Sequence, residues 1–106
     1  MAAGEFTGYR LTPKAEADLE VIWRYSAETW SANQADTYIN TLIRTIETIV
    51  TMPTIAWDRL EFDPPVRIHP SAEHLIIYYI DTDSIHIVRI LGGRQNWRAL
   101  LAKIDA

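Results

Sequence analysis

The stretch His74-Leu75-Ile76-Ile77-Tyr78-Tyr79-Ile80, then Asp81-Thr82-Asp83-Ser84, then Ile85-His86-Ile87-Val88-Arg89-Ile90-Leu91 restricts what this chain can fold into more than any other. β-Branched and aromatic side chains dominate both arms and suit the pleated surface of a strand. The residues between them hydrogen-bond their own backbone readily, so the arms form an antiparallel hairpin. Successive side chains alternate in a strand, which puts Leu75, Ile77 and Tyr79 on one face and Ile76, Tyr78 and Ile80 on the other. Both faces are apolar, so the sheet needs cover on two sides. Gly92-Gly93-Arg94-Gln95 follows directly, carrying a strand out onto flexible backbone with a guanidinium at the edge of the fold.

Cover for one face lies upstream. Tyr9-Arg10-Leu11 alternates like a short strand, and Thr12-Pro13 is a helix start: a capping hydroxyl, then proline where its missing N–H costs nothing. Ala15, Leu19, Ile22, Trp23, Ser26 and Trp30 recur at helical spacing, with Glu16, Asp18, Glu20 and Arg24 on the other face, so a helix is predicted from Pro13 to Trp30. Within it Trp23 is expected in the core and Trp30 half exposed. Ser31-Ala32-Asn33 caps a second helix carrying Ala35, Tyr38, Ile39, Leu42, Ile46 and Ile49, which Pro53 ends. So short a connection makes the two helices an antiparallel hairpin. The span from Pro53 to Pro65 holds three prolines and no period, and reads as a crossover loop. Val66-Arg67-Ile68 begins the main sheet, His69 to Glu73 turns into the hairpin, and Asn96 caps a last helix bearing Trp97, Leu100, Leu101 and Ile104. The expected fold is α+β: a helical hairpin packed on a small antiparallel sheet, in the order strand-helix-helix-strand-strand-strand, with a short C-terminal helix. Residues 9–106 form one domain, and residues 1–8 read as a flexible tail or a cloning remnant. The helical hairpin covers only one sheet face and the last helix part of the second, which leaves apolar sheet surface for a partner.

At 106 residues the chain supports a single core. It has no cysteine, so disulfides and thiolate metal sites are excluded and a reducing cytoplasm is the expected setting. Its longest apolar run, Leu75 to Ile80, is far short of the ~20 residues that span a bilayer, so no membrane association is expected. Net charge is −4, with ten acids against five bases up to Pro65 and four against five after it. That balance disfavours a duplex-binding protein and favours a protein target. His69, His74 and His86 lack metal-ligand spacing, Ser71 and Asp81 lack a nucleophile elbow, and no cofactor or metal is expected.

Thr12-Pro13 with Ala15, Ala17-Asp18-Leu19 and Ile22-Trp23, the second-helix pattern, Val66-Arg67-Ile68-His69-Pro70, His74-Leu75-Ile76-Ile77-Tyr78-Tyr79 and Ile87-Val88-Arg89-Ile90-Leu91-Gly92-Gly93-Arg94-Gln95 together resemble a toxin of the RelE/ParE superfamily of bacterial type II toxin–antitoxin systems, its ParE branch most closely. The likeness spans Tyr9 to about Lys103. It implies a growth inhibitor acting on DNA gyrase without being an enzyme, neutralised by a cognate antitoxin whose extended segment wraps it. Such antitoxins usually carry a ribbon-helix-helix end, so DNA contact would be indirect, through the partner. The alternatives within the superfamily are a RelE-like, ribosome-dependent mRNA endoribonuclease and a non-toxic member acting only as a binding module. The pattern departs at Gly92, where many relatives carry a side chain.

Ribonuclease action needs a base for the 2′-hydroxyl, an acid for the leaving oxygen and cations for the phosphate. Arg94 stands where RelE-like toxins place an arginine, but the aromatic after it is Trp97, whose indole does not titrate, so no catalytic residue is assigned. The candidates for target contact are Arg67, Tyr78, Arg89, Arg94, Gln95, Trp97 and Arg98, with Arg89 equally able to pair with a carboxylate at the sheet rim. Those for antitoxin binding are Trp30, Tyr38, Leu75, Ile77 and Tyr79.

Overall fold

The computed structural model describes residues 8–102. Strand β1 (Tyr9–Leu11) leads into helices α1 (Pro13–Thr29) and α2 (Ala32–Thr51), and a 3-10 turn (Pro53–Ile55) precedes strands β2 (Asp58–Arg59), β3 (Val66–Ser71), β4 (His74–Ile80) and β5 (Ile85–Gly92) and helix α3 (Trp97–Ala102). The sheet order is β1-β5-β4-β3-β2. The run from β2 to β5 is antiparallel, and β1 joins the far edge parallel to β5, pairing Tyr9 with Ile85 and Leu11 with Ile87. Both helix starts form as their cap residues require: Thr12 Oγ1 accepts from Ala15 N–H at 3.1 Å and Ser31 Oγ from Gln34 N–H at 3.0 Å.

Three local expectations are corrected. The crossover loop contains β2, a two-residue edge strand that no periodicity could announce. The stretch from His69 to Ser71 continues β3, and the turn is only Ala72-Glu73, with Ala72 in the left-handed region at φ 52°. Pro70 is tolerated there because β2 pairs only as far as Arg67, leaving the outer side of β3 unpaired where a missing N–H does no harm. Gly8, assigned to the tail, accepts a hydrogen bond from Ile85 N–H at 3.2 Å. The rest of that tail and Ile104 lie outside the described residues.

The helices cover one sheet face. Ile22, Leu42, Ile46 and Ile49 close over Ile76, Tyr78, Ile85, Ile87 and Ile90. Contrary to expectation the other face is not left open: Val66, Ile77, Val88 and Leu91 pack with Leu101 of α3, flanked by Phe62, Leu75 and Trp97. Ile77 is 0% exposed, so it is no surface for an antitoxin while α3 is docked. On that face Tyr79 stays 40% exposed and stacks on His86, ring centroids 4.8 Å apart. Trp23, expected in the core, is 39% exposed, and its indole N–H donates to Asp36 of α2 at 2.8 Å. Neighbouring Ile22 takes the core position, and the next residue along a helix turns about 100° away from it.

Two cores predict a symmetrical sensitivity. Ile76→Ala and Ile77→Ala, on opposite faces of β4, are each expected to lower the unfolding free energy by about 2–5 kcal/mol in urea titration. A sheet with one open face would lose stability only through Ile76.

Candidate functional site

A cleft of about 660 Å³ opens between α1, the end of β5 and the start of α3. Its α1 wall follows from helical spacing, since Asp18, Val21, Ile22 and Tyr25 form one i, i+3, i+4, i+7 stripe. Ile22 goes inward to the core, while Val21, Tyr25 and, at the helix end, Trp30 remain exposed, Trp30 at 65%. Tyr25 and Trp30 meet edge to face with centroids 6.4 Å apart. Asp18 turns to the strand. Its carboxylate accepts from Arg89 Nε at 2.8 Å, Arg89 Nη2 at 2.9 Å and Ile90 N–H at 2.9 Å. Both side chains of this pair are mostly buried, and the hydrogen bond it donates to Asp18 raises the Arg89 guanidinium above its ordinary pKa.

The opposite wall is the open end of the β4–β5 hairpin, where His74 pairs with Gly92. Tyr38 Oη lies 2.6 Å from His74 Nδ1 and accepts from Glu73 N–H at 3.0 Å. Among the described residues the hydroxyl proton has no other acceptor, so we assign it to Nδ1, the arrangement that pairs both groups, with the imidazole proton on Nε2. Burial holds His74 below its usual pKa against the opposing charges of Glu73 and Asp18, and burial likewise pushes the Tyr38 hydroxyl up. The imidazole is therefore neutral at pH 7.

Past Gly92 the chain closes a tight loop. Gln95 Oε1 accepts from Gly92 N–H at 2.8 Å, and Gly93 N–H donates to Glu73 O at 2.9 Å. A Cβ on Gly92 would come within 3.1 Å of that Gln95 amide, so the glycine makes room for the Gln95 side chain that folds back onto it. Arg94 extends outward, its side chain 94% exposed, with Glu73 Oε1 at a loose 3.9 Å.

The cleft unites Trp30 and Tyr38 with Arg89, Arg94 and Gln95, drawing from both sets of sequence candidates. Other candidates are elsewhere. Tyr78 is fully buried and its hydroxyl donates to Pro53 O at 2.7 Å, so it contacts no target directly. Arg67 is half-buried and donates to Ala56 O at 2.6 Å. Trp97 has two cations near its ring, Arg98 4.6 Å and Arg59 6.0 Å from the centroid, and lies beside Phe62. Leu75 is half-buried, and Arg98 is exposed with Glu61 3.8 Å away. Ser71 Oγ pairs with Thr45, whereas Asp81 pairs with His86 across the hairpin turn, so the two form no triad. Sequence reasoning missed His74, Glu73, Asp18, Val21 and Tyr25. The Asp18-Val21-Tyr25 spacing and the place of His74 opposite Gly92 were signals that could have found them. Among the described residues no helix is long and apolar enough to cross a membrane, and no cluster of acidic and histidine side chains is arranged to hold a metal.

Comparison with known proteins gives this geometry a class. The family model for the ParE toxin of the type II toxin–antitoxin system, parDE, matches residues 9–97. Toxin ParE1 of Caulobacter vibrioides is 34% identical over 93 residues, which are 88% of this chain and 96% of that protein. Toxin ParE1 of Mycobacterium tuberculosis is 30% identical over 89 residues, 83% of this chain and 91% of its own length. A solved structure titled "Chromosomal ParDE TA system from P. aeruginosa" has the same fold, with a TM-score of 0.70 at 18% identity over 80% of this chain and 94% of that one. A helical hairpin on a five-stranded sheet is thus the frame of a type II toxin. This chain belongs to the ParE toxin family.

Two outcomes test the site's construction. Asp18→Ala leaves the Arg89 guanidinium and the Ile90 N–H without their acceptor in a mostly buried place, and is expected to cost about 3 kcal/mol in chemical denaturation; a loss below about 1 kcal/mol would mean that water screens the pair. Since the folded chain resists protonating His74 and the unfolded chain does not, the unfolded state binds more protons once pH falls below about 6.5. Stability should therefore decline as pH drops from there through the lowered folded value. In His74→Gln melting curves that part of the decline should vanish.

Proposed function

We propose that this protein is a growth-inhibiting toxin that acts on DNA gyrase by binding rather than by chemistry, and that direct contact with a cognate antitoxin neutralises it in the cytoplasm. The observation that carries the reading is the cleft itself: an exposed aromatic wall beside titratable groups that spend their hydrogen bonds on one another. With the Tyr38 hydroxyl donating to His74 Nδ1, the imidazole offers the cleft an N–H rather than the lone pair a general base needs. Asp18 is engaged by Arg89 and Ile90. Trp97 has no group that titrates in the working range. Such a set orients a surface for contact more readily than it moves protons.

Family membership supports an antitoxin partner, and the ribbon-helix-helix class that ParE-type antitoxins usually carry would make DNA binding a property of the complex. The chain's charge of −4 agrees, because a polyanion finds little to neutralise on it.

Inducing the toxin without its antitoxin should stop growth, and the purified protein should block supercoiling of relaxed plasmid by gyrase while leaving mRNA on programmed ribosomes intact. Ribosomal A-site cleavage with normal supercoiling would replace this reading with the RelE-like one. Continued growth with antitoxin binding intact would leave a binding module without toxicity.

A further inference from the structure

The two walls of the cleft differ in kind. Val21, Tyr25 and Trp30 expose apolar and aromatic surface of a sort that marks a contact site when it is contiguous. Facing them are hydrogen-bond donors. His74 Nε2 has no partner among the described residues, yet no buried side-chain nitrogen or oxygen there is left unpaired, so this N–H opens onto the cleft that the ring lines. Arg94 is almost wholly solvent-exposed and Glu73, at 3.9 Å, is too far for a hydrogen bond. Asp18, the carboxylate on α1's side of the cleft, is already engaged by the three hydrogen bonds it accepts. What Arg94 and the Nε2–H of His74 lack is a negatively charged acceptor within hydrogen-bond reach, next to something apolar.

We infer that the cleft seats an acidic, amphipathic segment of the antitoxin: an apolar side chain of that segment lies on Val21, Tyr25 and Trp30, and an Asp or Glu close to it accepts from Arg94 and from His74 Nε2–H. The inference rests on the antitoxin reading above and adds the chemistry of the contact. A peptide suits this site better than a nucleic-acid backbone, because Glu73 and the acidic chain as a whole repel a polyanion while a single carboxylate needs only the two donors. Glu73 gives up nothing but a loose, solvent-exposed pairing when Arg94 swings to the incoming acid. Gln95 stays on Gly92 N–H and holds the loop that presents Arg94.

The test is calorimetric titration of the full-length toxin with its cognate antitoxin. Arg94→Glu and Trp30→Ala should each weaken binding by roughly tenfold or more. His74→Leu should weaken it, and His74→Gln, which keeps an amide donor, should recover part of the loss. Reversing the matching antitoxin carboxylate to Arg should restore affinity for Arg94→Glu, a gain that no unfolded variant can show. Wild-type toxin that binds no antitoxin would bring down the antitoxin reading itself. Wild-type binding with unchanged affinity in all the variants would overturn only the cleft assignment. Light scattering supplies the remaining outcome: a wild-type dimer abolished by Arg94→Glu, with antitoxin affinity unchanged, would make a second copy of this chain the occupant and overturn the proposal.

Discussion

An extra residue in β5 organises the molecule. Tyr78 pairs with Ile87 and Ile77 with Arg89, so one step along β4 corresponds to two along β5, and Val88 is the residue inserted. A regular strand would put Ile87 and Ile90 on opposite faces, because they are an odd number of residues apart. The bulge lets both face the helices, while Val88 and Leu91 both face α3. The insertion falls just where β1 stops covering the edge of β5, at Ile87. The edge groups beyond are taken up by α1: Thr12 donates to Val88 O at 2.8 Å, and Asp18 receives Ile90 N–H and the Arg89 guanidinium. One irregularity therefore sets the parity of two cores and docks the first helix.

The second core follows from the first. With β4 apolar on both faces, an uncovered side would expose Leu75, Ile77, Val88 and Leu91 together, and α3 has only six residues with which to prevent it. So short a helix is weak by itself and is held by what it touches. Leu101 enters the core, and the Trp97 ring meets Arg59 and Arg98, whose charges converge on Glu61 at 2.8 and 3.8 Å. The prolyl crossover thereby acquires a structural task, since Arg59 and Phe62 come from it.

How far the sequence announced this depends on the range of each interaction. The helix pair was legible because Thr12-Pro13 and Ser31 act within three residues and the apolar period repeats every turn, and the hairpin because alternation and turn chemistry are local. The parallel pairing of β1 with β5 joins residues 76 apart and leaves no local trace, and β2 is too short to have a period. The bulge hides inside a run apolar enough to tolerate either parity. In the site, the general reading that Arg89 could pair with a carboxylate was sound, but its partner Asp18 lies 71 residues away on a face that periodicity marked as solvent. Arg94 was legible from its place after two glycines, whereas the inward role of Gly92 became visible only once Gln95 folded back onto it.

The polar groups of the cleft fall into two sets, and the division explains how so small a chain can carry a binding surface at little cost to its stability. Asp18 with Arg89, and Tyr38 with His74, satisfy one another at short range and fix the walls. Arg94 and the Nε2–H of His74 are left over. A buried donor without an acceptor would be expensive, but both leftovers face water, which satisfies them until a partner does. The apolar wall follows the same logic, since Val21, Tyr25 and Trp30 belong to a helix whose neighbouring stripe, Ala15, Ile22 and Ser26, already supplies its buried contacts. The folded state does not depend on the contact surface, so that surface is free to be shaped by whatever must fill it.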